Sequence, residues 1–139
     1  MYYTAVKVDG NGCVARASST DLMNWKDERI AYGFSSWNQC ESSNVQQMDD
    51  GRWRLFFEGH HAWSYVDSDN PLRWPDIAPA PIRDDVTGME VIRRQGDRWL
   101  VAYFGLADYR MQVGLLDWSL SNPTIVQIVE AAGLKEFGL

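Results

Sequence analysis

Ser18-Ser19-Thr20-Asp21-Leu22-Met23-Asn24-Trp25 returns loosely as Ser68-Asp69-Asn70-Pro71-Leu72-Arg73-Trp74, and the two tryptophans stand 49 residues apart. A fainter third copy is Asp117-Trp118-Ser119-Leu120-Ser121-Asn122-Pro123. A second element repeats beside the first. Asp50-Gly51-Arg52-Trp53-Arg54-Leu55-Phe56-Phe57 matches Gly96-Asp97-Arg98-Trp99-Leu100-Val101-Ala102-Tyr103, with the tryptophans 46 apart. A third mark is acidic: Glu41 lies twelve residues before Trp53, and Glu90 nine before Trp99. A period in the high forties suits a four-stranded propeller blade better than a helical pair.

The local pattern within each period is that of strands. Arg54 to Phe57 is short and aromatic, and it follows Asp-Asp-Gly, a turn signal. Val91 to Arg94, the turn Gln95-Gly96-Asp97 and Trp99 to Phe104 read as a hairpin. Met111 to Leu116 and Thr124 to Val129 read as further strands, and Ala131 to Phe137 as a helical turn. No stretch of twelve residues carries a 3.6-residue apolar period. Short Ser and Asp side chains at the repeated corner bond to nearby backbone and hold the turn. The Trp that follows then caps the edge of the blade core.

The expected fold is therefore all-β: a β-propeller-like repeat of antiparallel four-stranded blades, about two and a half to three per chain. Counting back 21 residues from Trp25, the spacing of Trp53 and Trp74, reaches Thr4 beside Tyr2 and Tyr3, the place of an aromatic second strand. This divides the chain as a single propeller-fragment domain: an incomplete blade at 1–37, blades at 38–87 and 88–129, and a tail at 130–139. Propellers close into rings of four or more blades, and open sheet edges are a liability. Closure by a symmetric homodimer is the simplest way to hide two edges.

Composition narrows the functional classes. The 139 residues carry a net charge of −6, with 45% apolar residues and seven Trp, six Tyr and five Phe. That aromatic content argues against disorder. An acidic surface repels phosphate backbones, so no nucleic acid partner is expected. No run of eighteen apolar residues occurs, so no membrane-spanning helix is expected. Met1-Tyr2-Tyr3-Thr4 lacks a basic region followed by an apolar stretch, and the expected location is cytoplasmic. Cys13 and Cys40 have neither metal spacing nor a disulfide pattern, and buried thiols are expected. No Gly-rich phosphate loop, CxxC or nucleophile elbow is present, so neither cofactor nor metal is expected.

The ordered motifs resemble the five-bladed propellers of the invertase/levanase and arabinanase/xylosidase glycoside hydrolases. The resemblance is carried by Glu41-Ser42-Ser43-Asn44-Val45, Gly51-Arg52-Trp53-Arg54-Leu55 and Ala17-Ser18-Ser19-Thr20-Asp21-Leu22-Met23-Asn24-Trp25. Gly88-Met89-Glu90-Val91-Ile92 and Val113-Gly114-Leu115-Leu116-Asp117-Trp118 extend it to about Val129. The first-blade Asp-Pro element of that family is absent, Ser43 stands where it often has Pro, and Arg83-Asp84-Asp85 is the nearest text to its Arg-Asp-Pro triplet.

The resemblance implies action on a carbohydrate. Glycoside hydrolysis needs one carboxyl group to protonate the leaving oxygen and another to attack or to activate water. The family's general acid is a Glu at an inner strand start, so Glu41 and Glu90 are the catalytic candidates, each also open to a structural role at its strand. Trp37, His60, His61, Trp63 and Asp85 are the substrate-binding candidates, the aromatic rings for stacking on sugar faces; packing or surface roles are their alternatives. His60 and His61 cannot both bind one ion from a strand, because adjacent side chains point to opposite faces. Three readings remain open: a glycosidase-like enzyme completed by self-association, a non-catalytic carbohydrate-binding or protein-interaction scaffold that kept the fold, or a remnant with no selected activity.

Overall fold

A computed structural model describes residues 1–33, 40–59, 62–119 and 123–128, except for the side chains of Arg93, Thr124 and 126–128. These residues are all-β, with no helix among them. The strands are β1 (Tyr2–Val6), β2 (Gly12–Ser18), β3 (Lys26–Tyr32), β4 (Glu41–Gln47), β5 (Trp53–Gly59), β6 (Ala62–Ser68), β7 (Ala80–Arg83), β8 (Val86–Gln95), β9 (Arg98–Gly105), β10 (Met111–Asp117) and β11 (Thr124–Ile128). The expected strands at 54–57, 91–94, 99–104 and 111–116 all lie within this set. The helical turn expected at 131–137 falls outside the described residues.

Neighbours in sequence are neighbours in space. The strands form three meanders: β1-β2-β3, β4-β5-β6-β7 and β8-β9-β10-β11. Antiparallel registers hold across β1/β2, β2/β3, β4/β5, β8/β9, β9/β10 and β10/β11. The short polar corners expected from the sequence make the turns. Ser19 Oγ accepts from the backbone N–H of Leu22 at 2.8 Å, and Asp21 Oδ1 accepts from those of Met23 and Asn24 at 2.9 and 2.8 Å. These bonds to Asn24 and Met23 hold the Asp21 carboxyl far below the ordinary carboxylate range.

The chain divides into two compact units, Met1–His60 with Ser64–Ala80, and His61–Trp63 with Pro81–Leu139. In the first, two sheets share one core. Val14 and Tyr32 from the β1-β2-β3 sheet meet Leu55, Phe57 and Val66 from the β4-β5-β6-β7 sheet, with Cys40 among them and Tyr2, Val45 and Trp74 at the margin. The Tyr32 and Phe57 rings lie 5.0 Å apart, and the Tyr32 hydroxyl escapes the apolar interior by donating to the Ile77 carbonyl at 2.7 Å. In the second unit Leu100 and Leu115 are buried with Val113 against them, and Trp99 and Trp118 meet edge to face at 5.4 Å.

Cys13 and Cys40 are buried free thiols. Burial, with a smaller contribution from Cys13, pushes the Cys40 thiol up to about 12. Burial also raises the Tyr32 phenol. Both groups hold their protons longer folded than unfolded, where a thiol titrates near ~8.5. Stability is therefore complete below that pH and falls as pH rises toward 12. We expect native protein at pH 8 to leave Cys40 unlabelled by an aromatic disulfide reagent, with labelling appearing in denaturant. Rapid native labelling would contradict the burial.

Candidate functional site

The site is built on a backbone irregularity at the start of β4. Glu41 pairs with Glu58 on β5, but the next register pair is Asn44 with Phe56, so β4 holds one residue more than its partner there. The bulge includes Ser42 at φ 50°, in the left-handed region. Sheet β8-β9-β10-β11 makes the same bulge: Thr87 pairs with Phe104, Glu90 with Ala102, and Gly88 takes φ 61°. Glycine adopts that conformation without a steric cost, whereas a residue with a Cβ loses about 1–2 kcal/mol. Ser42 thus occupies, with strain, the position that Gly88 fills freely.

The shared bulge corrects the equivalence of the two sequence candidates. Glu41 opens β4 and precedes its bulge; Glu90 lies inside β8 and follows its bulge. The counterpart of Glu41 is Thr87, and that of Glu90 is Asn44. The spacing carried this information, because Thr87 lies twelve residues before Trp99, as Glu41 lies twelve before Trp53.

What Glu41 faces instead is Glu58, a residue the sequence reading missed. Directly opposed residues of an antiparallel pair share a face, with Cβ atoms about 4.5–5.5 Å apart. Glu41 is exposed and Glu58 half-buried. Strand alternation puts Phe56 and Arg54 on the same side of β5 as Glu58. Arg54 is buried and held in a fork by Asp67, at 2.6 and 2.8 Å, with its guanidinium 4.1 Å from the centroid of the Tyr65 ring. The carboxylate pair thus stands at the end of a row whose other members are fixed by packing and a bidentate bond.

The remaining candidates are placed as follows. Glu90 is exposed on β8 in the second unit, opposite Ala102. Asp85 follows the end of β7 and is bound by Arg83 through two hydrogen bonds, one of 2.7 Å. The Arg83 guanidinium holds its carboxyl below the usual range, so Asp85 is a surface anion and not a proton donor near neutral pH. Trp63 is fully buried within β6 and offers no ring face to solvent. Trp37, His60 and His61 lie outside the described residues. Among the described residues no group of three or more His, Cys, Asp or Glu side chains could hold a metal ion, and no helix is long and apolar enough to cross a membrane. No family model and no curated protein matches the chain.

The bulge gives a direct test. Ser42→Gly should stabilise the protein by about 1 kcal/mol in urea unfolding, because it releases the left-handed strain. Gly88→Ala should destabilise it by about 1–2 kcal/mol, since the new Cβ would also stand 3.3 Å from the Phe104 ring. Loss of stability in Ser42→Gly would show that the serine side chain offsets the strain.

Proposed function

We propose that the chain is a propeller-type, glycoside-hydrolase-like protein directed at carbohydrate. In this reading its meander sheets are blades, self-association completes the ring, and Glu41 and Glu58 are the working carboxyl pair. The register of Glu41 against Glu58 carries the proposal. Two-carboxylate hydrolysis uses groups about 5–5.5 Å apart when configuration is retained and about 6.5–9.5 Å apart when it is inverted. A directly opposed cross-strand pair falls within reach of these separations. Opposing like charges costs stability, as does a non-glycine residue in the left-handed region. Both costs meet at the start of β4, and such local conflicts cluster where function demands them.

The roles follow from position. Glu41, at the strand start where the resembling family keeps its acid, donates a proton to the glycosidic oxygen. Glu58, the more enclosed of the two, attacks the anomeric carbon or takes a proton from water.

The protein-interaction form of the scaffold reading is favoured by a different observation. Trp63 and Trp99 are buried, and Trp74 packs against the core of the first unit. These rings are engaged in packing and leave no sugar platform of their own.

Aryl glycosides and oligosaccharides of differing linkage should separate the two. With hydrolysis present, Glu41→Gln and Glu58→Gln should each lower kcat by about 10²-fold or more without lowering the urea midpoint. Hydrolysis unaffected by both substitutions would remove the pair from catalysis. Saturable glycan binding with no turnover would establish a carbohydrate-binding scaffold, and neither binding nor turnover would leave the protein-interaction scaffold.

A further inference from the structure

Beside the corner that joins β2 to β3 opens a cleft of about 560 Å³, within the size range of small-molecule sites. Tyr2, Arg16, Leu22, Trp25, Glu28 and Leu72 line it, all within the first unit. One side is apolar. Leu22 is 77% exposed, Leu72 56% and Trp25 42%, and Trp25 is the exposed tryptophan among the described residues. Its ring is tied down, because the indole N–H donates to the Leu22 carbonyl at 3.1 Å. The loop that carries it is fixed by Ser19 and Asp21, whose side-chain oxygens accept from the N–H groups of Leu22, Met23 and Asn24. The aromatic surface is thus in place before any ligand arrives, and little chain entropy is lost on binding.

The other side is polar, and a bulge builds it. Arg16 pairs with Arg29 and Ala17 with Asp27, so Glu28 is the extra residue of β3, set beside Arg16. Glu28 Oε1 accepts from Ser18 Oγ at 2.7 Å and lies 3.5 Å from Lys26 Nζ. Glu28 Oε2 stands 3.9 Å from Arg16 Nη2, too far for a hydrogen bond. The Arg16 side chain is only 13% exposed, yet among the described residues its guanidinium makes one hydrogen bond, a long one of 3.4 Å from Nη1 to the Leu72 carbonyl. Ser18 and Lys26, with Arg16, hold the Glu28 carboxyl below its ordinary range. At neutral pH, therefore, an acceptor oxygen and a cationic donor face each other across an unfilled gap.

That gap selects the chemistry of the ligand. An anion would meet the Glu28 carboxylate, and a cation the Arg16 guanidinium. A neutral hydroxyl satisfies both, accepting from Nη2 and donating to Oε2. A sugar ring combines such hydroxyls along its edge with an apolar C–H face suited to Trp25 and Leu22. We propose that this cleft is a carbohydrate-binding subsite, in which one sugar hydroxyl bridges Arg16 and Glu28 while the ring lies against Trp25. The choice of carbohydrate among neutral hydroxyl compounds rests on the functional reading above. The position does not, since neither Glu41 nor Glu58 lines the cleft.

Titration of the full chain with neutral tetrasaccharides of glucose, galactose and xylose tests this, read by calorimetry and by the indole N–H resonances. The Trp25 resonance is assigned by its absence in Trp25→Phe. At least one neutral sugar should bind and shift that resonance. Glu28→Gln retains an acceptor for Ser18, and should raise the sugar Kd at least about 10-fold, the size of a charged hydrogen bond, without lowering the urea midpoint. Trp25→Ala should abolish binding. Binding lost in these variants, with no turnover by the wild type, would support the cleft and remove the catalytic reading. A Kd unchanged in both Glu28→Gln and Trp25→Ala would overturn the cleft and leave the carbohydrate reading standing. A wild type that neither binds nor hydrolyses any of the three sugars would overturn both.

Discussion

A meander of three or four strands has two faces to satisfy and cannot bury an apolar face without something laid against it. In the first compact unit that constraint is met by face-to-face packing of β1-β2-β3 on β4-β5-β6-β7, with Tyr32 and Phe57 in ring contact at the centre. The other features of the unit follow from this contact. Cys40 is held in the same cluster and its thiol is pushed upward by burial. Tyr32 must find a carbonyl for its hydroxyl, and takes that of Ile77. Tyr2 does the same at the margin with Pro71, which ties the corner of one sheet to the first strand of the other.

Packing of this kind has no direction of its own, because apolar burial depends on area and not on angle. Register between the sheets therefore needs polar contacts, and the corner supplies them. Its side-chain oxygens are consumed by its own backbone N–H groups, which leaves the carbonyls of Pro71 and Leu72 pointing outward as acceptors. A corner stiffened from within and open to donors from without is a registration device. The same internal stiffening holds Ser19–Trp25, where Leu22 takes φ 62° and its carbonyl accepts from the Trp25 indole.

The strands and corners were legible in the sequence because their signals are local. Short apolar runs and turn chemistry marked Trp99–Phe104 and Met111–Leu116, and spacing alone placed the repeated Trp. Glu58 was not legible, because its importance depends on which residue of β4 lies opposite it, and that is decided by a bulge. At Gly88 the bulge leaves a trace, since glycine suggests a left-handed residue; at Ser42 it leaves none. The aromatic candidates failed to separate for a related reason. When both faces of a strand are covered, as the burial of Trp63, Ser64 and Val66 on β6 implies, periodicity no longer distinguishes a core ring from an exposed one.

The contrast between Ser42 and Gly88 bears on how the two bulges should be understood. Both strands need the extra residue to re-aim the chain as it enters the sheet, and glycine is the low-cost solution that β8 adopts. β4 keeps the geometry and accepts a strained serine, immediately beside a carboxylate that faces another carboxylate. The first stores backbone strain, and the second sets two acidic residues opposite each other across the ladder. At the equivalent cross-strand position β8 and β9 place Thr87 against Phe104, an uncharged pair that meets the same packing demand. The fold can therefore be made without the carboxylate pair. The pair stands in β4 and β5, on a row anchored by the Arg54–Asp67 fork, and not at the matching place in β8 and β9, an asymmetry between the two sheets that packing does not require.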